Sequence, residues 1–111
     1  MPIQMSCHER EDAQIGVKYD EEKPRWDLVP FSALDELAKV MTYGARKYGA
    51  NNWKGVAQER QLAATFRHLS AYMQGEVIDS ESGLSHLSHA LCDIAFAIWK
   101  EKERSINHER V

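Results

Sequence analysis

Leu84-Ser85-His86-Leu87-Ser88-His89-Ala90-Leu91-Cys92-Asp93-Ile94-Ala95-Phe96-Ala97-Ile98-Trp99 decides the reading of this chain. Leu84, Leu87, Leu91, Ile94 and Ile98 recur at helical spacing, which predicts one amphipathic helix from about Leu84 to Glu103 with these side chains as its core-facing stripe. At about 100° of rotation per residue, His86, His89 and Asp93 fall within a roughly 60° stripe beside it. Two imidazoles and a carboxylate therefore edge the expected core.

Working outward, Leu62, Phe66, Leu69 and Met73 mark a second helix from about Glu59 to Gly75. The link from Glu76 to Gly83 is short enough to make the two helices an antiparallel hairpin. A first helix is expected to start near Ser32, with its hydroxyl as cap and Asp35 three residues on. It continues through Leu34, Leu37, Ala38, Met41 and Ala45 and stops at Gly49. The Gly- and Asn-rich stretch Tyr48 to Gly55 reads as a structured turn. Gly16 to Pro30, with two prolines and alternating charge, reads as an extended arm. The expected fold class is all-α: a small helical bundle with an antiparallel helix hairpin and an extended N-terminal arm. Residues 1–17 form a flexible tail, 18–104 the helical domain and 105–111 a C-terminal tail.

A chain of 111 residues builds one small domain with a modest buried fraction, so homo-oligomerisation, as a dimer or higher, is expected from size. Phe96 and Trp99 lie outside the main stripe of their helix and are expected to need a partner surface. The formal net charge of −3 disfavours a nucleic-acid polymer as partner but leaves room for a small anionic ligand. Cys7 and Cys92 stand far apart with no metal or disulfide framework. No long apolar run or signal-type N-terminus is present, so no membrane partner is expected and the cytoplasm is the expected compartment.

Thr65, His68, Tyr72 and Glu76 make a polar stripe on the second helix that can face the histidines of the third. In a simple hairpin Glu76 lies near the height of His86 and His68 near Asp93, with Asp79 and Glu81 in the closing loop. The spacing thus predicts convergence of Glu76, His86, His89 and Asp93. Imidazole with carboxylate suits Mn²⁺, Fe²⁺, Co²⁺, Ni²⁺ or Zn²⁺, and carboxylates alone suit Mg²⁺. The plain reading beside this one leaves His86 and His89 on the helix surface and Asp93 paired with Arg67 or a lysine. Arg67 is open between a surface ion pair and a bidentate phosphate clamp. Trp26, Trp53 and Tyr48 are open between base stacking and loop anchoring.

The chain also resembles the dATP/dGTP diphosphohydrolase N-terminal domain family of phages and bacteria, itself loosely akin to MazG-type pyrophosphohydrolases. The resemblance covers about residues 16 to 100. It rests on Lys18-Tyr19-Asp20, Lys23-Pro24-Arg25-Trp26, Tyr43-Gly44-Ala45-Arg46-Lys47-Tyr48-Gly49, Asn52-Trp53, Arg67-His68, Gly75-Glu76, Asp79-x-Glu81-Ser82-Gly83 and His86-x-x-His89-Ala90-x-Cys92-Asp93. It implies metal-dependent hydrolysis of purine deoxynucleoside triphosphates, dATP or dGTP, to the monophosphate and pyrophosphate, and oligomeric assembly. It implies Mg²⁺ or Mn²⁺ as the divalent metal, with another transition metal as the variant choice. His86, His89, Asp93 and Glu76 are then the metal ligands, and Glu76, Asp79, Glu81 and His68 the catalytic groups. Lys18, Lys23, Arg25, Lys47, Asn52, Trp53 and Arg67 are the nucleotide contacts. A phage-encoded chain would act in the host cytoplasm. MazG-type enzymes carry paired acidic motifs, and here His89 stands where a glutamate is expected. The alternative reading is therefore a phage protein that binds or sequesters nucleotides without hydrolysis.

Overall fold

The computed structural model describes residues 16–109, with side chains as far as Ile106. The expected tail at 1–17 lies outside the described residues except for its last two positions. Three helices carry the fold: α1 (Phe31–Tyr48), α2 (Gln58–Met73) and α3 (His86–Glu109). Short 3₁₀ turns at Trp26–Leu28 and Asn52–Gly55 precede α1 and α2. Among the described residues the sole extended pairing is a single antiparallel bridge between Ile78 and Ser85. The protein is all-α.

The helices fall within a few residues of the expected positions, and the differences have local causes. Pro30, not Ser32, stands at the start of α1, and its carbonyl accepts from the Ala33 N–H at 2.9 Å. Proline has no N–H to leave unpaired there and its fixed φ suits a helix entrance. Gly49 ends α1 with φ 99°, a conformation open to glycine at little cost. Helix α3 continues to Glu109, past the expected boundary at 104.

Helices α2 and α3 form the antiparallel hairpin and pack most extensively, while α1 lies along another flank of α3. Gln58 Nε2 donates to the Ala97 carbonyl at 2.9 Å at one end of the hairpin, and His68 meets His86 at the other. The α1 contact is anchored by Ser88 Oγ, which donates to Glu36 Oε1 at 3.0 Å, and by buried Val40.

What fills the interior differs from expectation. The buried residues are small or polar: Val40, Ala90, Cys92, Ala97, Gln61, Thr65, His86, Ser88 and His89. The expected core stripe of α3, Leu87, Leu91, Ile94 and Ile98, faces out, as do Leu62, Phe66, Leu69 and Met73 of α2. The cause is the direction of packing. Helices α1 and α2 both approach α3 from its polar side, so its apolar stripe is the side that no other described element covers.

The aromatic expectation is corrected as well. Phe96 and Trp99 are satisfied inside the protomer, because Trp53 stacks on Phe96 (4.2 Å between centroids, 6° between planes) and meets Trp99 edge-on at 5.0 Å. Trp53 thus pins the 49–57 connection to α3 as a loop anchor. Trp53→Ala removes the ring that joins α3 to this turn. It is expected to cost about 3 kcal/mol, the low end for a large aromatic, measured as the change in urea unfolding free energy.

Candidate functional site

A cavity of about 680 Å³ opens between α1 and the hairpin, within the ordinary range for small-ligand pockets. Helix α3 forms its floor, and His89, Asp93 and Phe96 follow one another along that floor at helical spacing. At the His89 end stand His68, Asp79, Glu81, Tyr43 and Lys47. Arg67, Gln61, Cys92 and Asp93 occupy the middle, and Asn52, Trp53 and Phe96 the far end.

The connection between α2 and α3 is a compact fold of its own. The Glu76 N–H donates to the Ala71 carbonyl at 3.0 Å, Asp79 N–H to Leu84 O at 2.8 Å, and His86 N–H to Val77 O at 2.9 Å. Gly83, at φ 75°, lets its N–H reach the Asp79 carbonyl at 2.8 Å. The chain turns back on itself here, so His68 comes opposite His86, and the expected pairing of His68 with Asp93 does not form. Asp93 lies further along α3 and lines the cavity with Arg67.

Ser82 fixes the state of His89. Its Oγ lies 2.9 Å from Asp79 Oδ2, 2.7 Å from His89 Nε2 and 3.1 Å from the Leu84 N–H. An ionised carboxylate only accepts, so the single hydroxyl proton goes to Asp79, and His89 Nε2–H must donate to the serine. Neutral His89 therefore keeps an unprotonated Nδ1. His68 and His86 face each other Nδ1 to Nδ1 at 2.8 Å, and His86 Nε2 lies 3.6 Å from Glu76 Oε2. One of the two rings donates through Nδ1–H and the other accepts, so neutral His68 keeps one unprotonated ring nitrogen whichever way this bond runs. The His68 and His89 rings are stacked at 4.6 Å with 10° between planes. Burial lowers the pKa of both, helped by the neighbouring imidazoles, so both are neutral at pH 7.

The charged groups are set equally locally. Lys47 forms an ion pair with Glu81, which also accepts from Tyr43 Oη at 3.0 Å. These contacts hold the Glu81 carboxyl below its usual range, and the hydrogen bond to Glu81 raises Lys47. Burial drives Asp93 the other way, to about 6, only partly offset by Arg67. Cys92 beside it is pushed up to about 12 by burial, so it is an inert thiol at neutral pH.

Of the expected site residues, His68, Asp79, Glu81, His89, Asp93, Lys47, Asn52, Trp53 and Arg67 all line the cavity. Buried His86 stands behind it as the partner of His68, with Glu76 beyond His86. The expected ligand set His86, His89, Asp93 and Glu76 is not gathered around one point. Among the described residues no three His, Cys, Asp or Glu side chains are arranged to hold a metal ion. Part of the reason is visible in the bonding: His68 Nδ1 and His86 Nδ1 face each other, and His89 Nε2 faces Ser82, so each ring has one nitrogen already engaged.

The arm is also placed differently. Lys18 and Lys23 are exposed and outside the cavity lining, and Arg25 is closed in a two-bond pair with Asp27 at 2.9 and 2.8 Å. Trp26 is 66% exposed and covers no bundle end. Tyr43, Ser82 and Gln61 belong to the site although the spacing does not single them out. Their signal is tertiary, since each reaches a residue or cavity that only the fold brings near.

The fold is a three-helix domain whose one side carries a cavity lined by cations, carboxylates and two stacked histidines. The chain belongs to the family described as dATP/dGTP diphosphohydrolase, N-terminal, which matches residues 13–110. A Salmonella phage PMBT28 protein named dATP/dGTP diphosphohydrolase is 34% identical over 95 residues, covering 86% of this chain. The chain spans about a third of that relative's length (33%). No solved structure matches it.

Asp93→Asn removes a buried charge and keeps the shape. With a folded pKa above the unfolded one, wild-type Asp93 is best tolerated when protonated, and its burial cost grows as pH rises through about 6. The variant is expected to be more stable than wild type by about 1–3 kcal/mol above pH 6. This advantage should vanish toward pH 4, as measured by melting temperature across that range.

Proposed function

We propose that the cavity binds a purine deoxynucleoside triphosphate and hydrolyses it to the monophosphate and pyrophosphate, in the cytoplasm of the cell that makes the protein. The single observation that carries this reading is the stacked pair His68 and His89, each with an unprotonated nitrogen, lining one cavity with Lys47, Arg67 and Asp93. The name of the phage relative, dATP/dGTP diphosphohydrolase, supports the substrate class.

The chemistry asked of these residues is modest. A water attacks the α-phosphorus as the bond to the bridging oxygen of the β-phosphate breaks, and pyrophosphate leaves. The water proton goes to a free imidazole nitrogen of His68 or His89. A positioned base of this kind contributes about 10²–10⁴-fold. Asp79 behind Ser82 holds the His89 ring in the tautomer that leaves Nδ1 open, and His86 orients the His68 ring through the Nδ1–Nδ1 contact. Lys47 and Arg67 supply positive charge for the triphosphate, and Lys47 must exchange the Glu81 carboxylate for a phosphate to do so. Asp93 adds a carboxylate between them.

A transition-metal site built from His86, His89, Asp93 and Glu76 does not fit, because among the described residues no three such side chains are gathered to hold an ion. Mg²⁺ or Mn²⁺ would fit differently, since Mg²⁺ needs one or two carboxylates plus substrate phosphates, and Asp79, Glu81 and Asp93 are the carboxylates that line the cavity. Such an ion supplies charge neutralisation to the phosphates when bound.

Incubation with each deoxynucleoside triphosphate and Mg²⁺ or Mn²⁺, resolved by chromatography, is expected to yield a purine monophosphate and pyrophosphate. A rise in melting temperature with nucleotide but no pyrophosphate would make the chain a nucleotide-binding protein instead. His68→Gln and Asp93→Asn are each expected to lower kcat by about 100-fold while leaving the circular dichroism spectrum unchanged. Because the lowered histidine pKa values keep the bases free at neutrality, kcat/KM should be flat near pH 7–8 and fall as pH drops through about 6, where Asp93 also protonates.

A further inference from the structure

Gln61 is 3% exposed, shares one face of α2 with Ala64 and His68, and lines the cavity with them. Its amide is held in one orientation. The Trp53 carbonyl accepts from the Val56 N–H at 3.1 Å and from Gln61 Nε2 at 3.0 Å. A carbonyl only accepts, so the amide nitrogen faces Trp53 and the amide oxygen faces away from it. Turning the amide over would set oxygen against oxygen. Trp53 is itself held, stacked on Phe96 and edge-on to Trp99, so the carbonyl that orients Gln61 is fixed as well.

This leaves Gln61 Oε1 as a buried acceptor that no donor reaches among the described residues. Such an atom costs free energy, which is recovered when a donor arrives. The side chain belongs to the cavity wall, so a molecule in the cavity is the natural source of that donor.

We propose that Gln61 Oε1 is the acceptor by which the cavity recognises the exocyclic amino group of a purine base. Gln61 and His68 stand seven residues apart on α2, which at a rise of about 1.5 Å per residue is about 10 Å along the helix axis. That is comparable with the separation between an α-phosphorus and the far edge of its base in an extended nucleotide. With the α-phosphorus beside His68 and His89, the base comes to lie level with Gln61, where Val56, Ala64, Trp53 and Phe96 supply an apolar wall. The exocyclic amines of adenine and guanine are N–H donors, whereas the exocyclic group of hypoxanthine is an oxygen that only accepts. A fixed, buried acceptor selects between them because the wrong base leaves it unpaired.

The inference rests on the cavity being a nucleotide site, and its test reads binding, not hydrolysis. Calorimetric titration of the full chain in Mg²⁺ uses the α,β-methylene analogues of dATP, dGTP and dITP, in which the bridge that hydrolysis would break is a carbon. The better bound of the dATP and dGTP analogues is expected to bind about 10- to 100-fold more tightly than the dITP analogue. Gln61→Met keeps the side-chain length and removes the acceptor, and is expected to bring that ratio close to one. A glutamine with a structural role alone would lower all three affinities and leave the ratio in place. If Gln61→Met loses helix by circular dichroism, the wild-type ratio decides alone. Equal wild-type affinities, or a ratio that survives in folded Gln61→Met, would overturn this inference and leave the nucleotide site standing. Failure of all three analogues to bind would remove both. Discrimination by a chain that releases no pyrophosphate from dATP or dGTP would support the role of Gln61 and overturn the hydrolytic reading.

Discussion

The meeting of His68 and His86, Nδ1 to Nδ1 at 2.8 Å, is the contact on which the arrangement of this protein depends. It sets the register of α2 against α3 at the closed end of the hairpin. That register places His68 over His89 as a stacked pair and leaves Asp93 further along the floor, beside Arg67. A slide along α3 that brought His68 to Asp93 would set the ring beside a carboxylate, which favours the protonated imidazole over the neutral ring found here. The hairpin connection enforces the contact through its own hydrogen bonds, with Gly83 supplying the left-handed residue that the fold of 76–85 requires.

Helix number, type and order were legible from apolar periodicity, and so was the hairpin, because the link from Glu76 to Gly83 allows little else. Which face of each helix turns inward was not legible. Leu87, Leu91, Ile94 and Ile98 define a stripe but do not say whether the same chain or another covers it, and the same pattern serves both. Histidines and serines on the opposite face are satisfied by one another, so burying them costs little. Periodicity sees hydrophobicity and cannot see that compensation.

The site was legible in its members and less so in its grouping. Asp79, Glu81, His68, His89, Asp93, Lys47 and Arg67 were recognisable as chemistry-bearing residues, and the cavity unites them. Their partners were not, since Ser82 bonding His89 and Tyr43 bonding Glu81 depend on how the 76–85 connection folds. The arm is legible by composition in Lys18, Lys23 and Arg25, and the fold leaves Lys18 and Lys23 exposed outside the cavity lining while Arg25 pairs with Asp27. That local pairing between residues two apart is not visible to a count of charges.

Cys92 is 2% exposed on the cavity floor, with its thiolate form strongly disfavoured. A thiol in that state reacts with alkylating or oxidising reagents only when α1 or the hairpin swings aside. The described part of the molecule thus contains its own opening clock. The labelling rate at Cys92 counts how often the helices part, and any ligand that closes the cavity slows that clock without touching the sulfur.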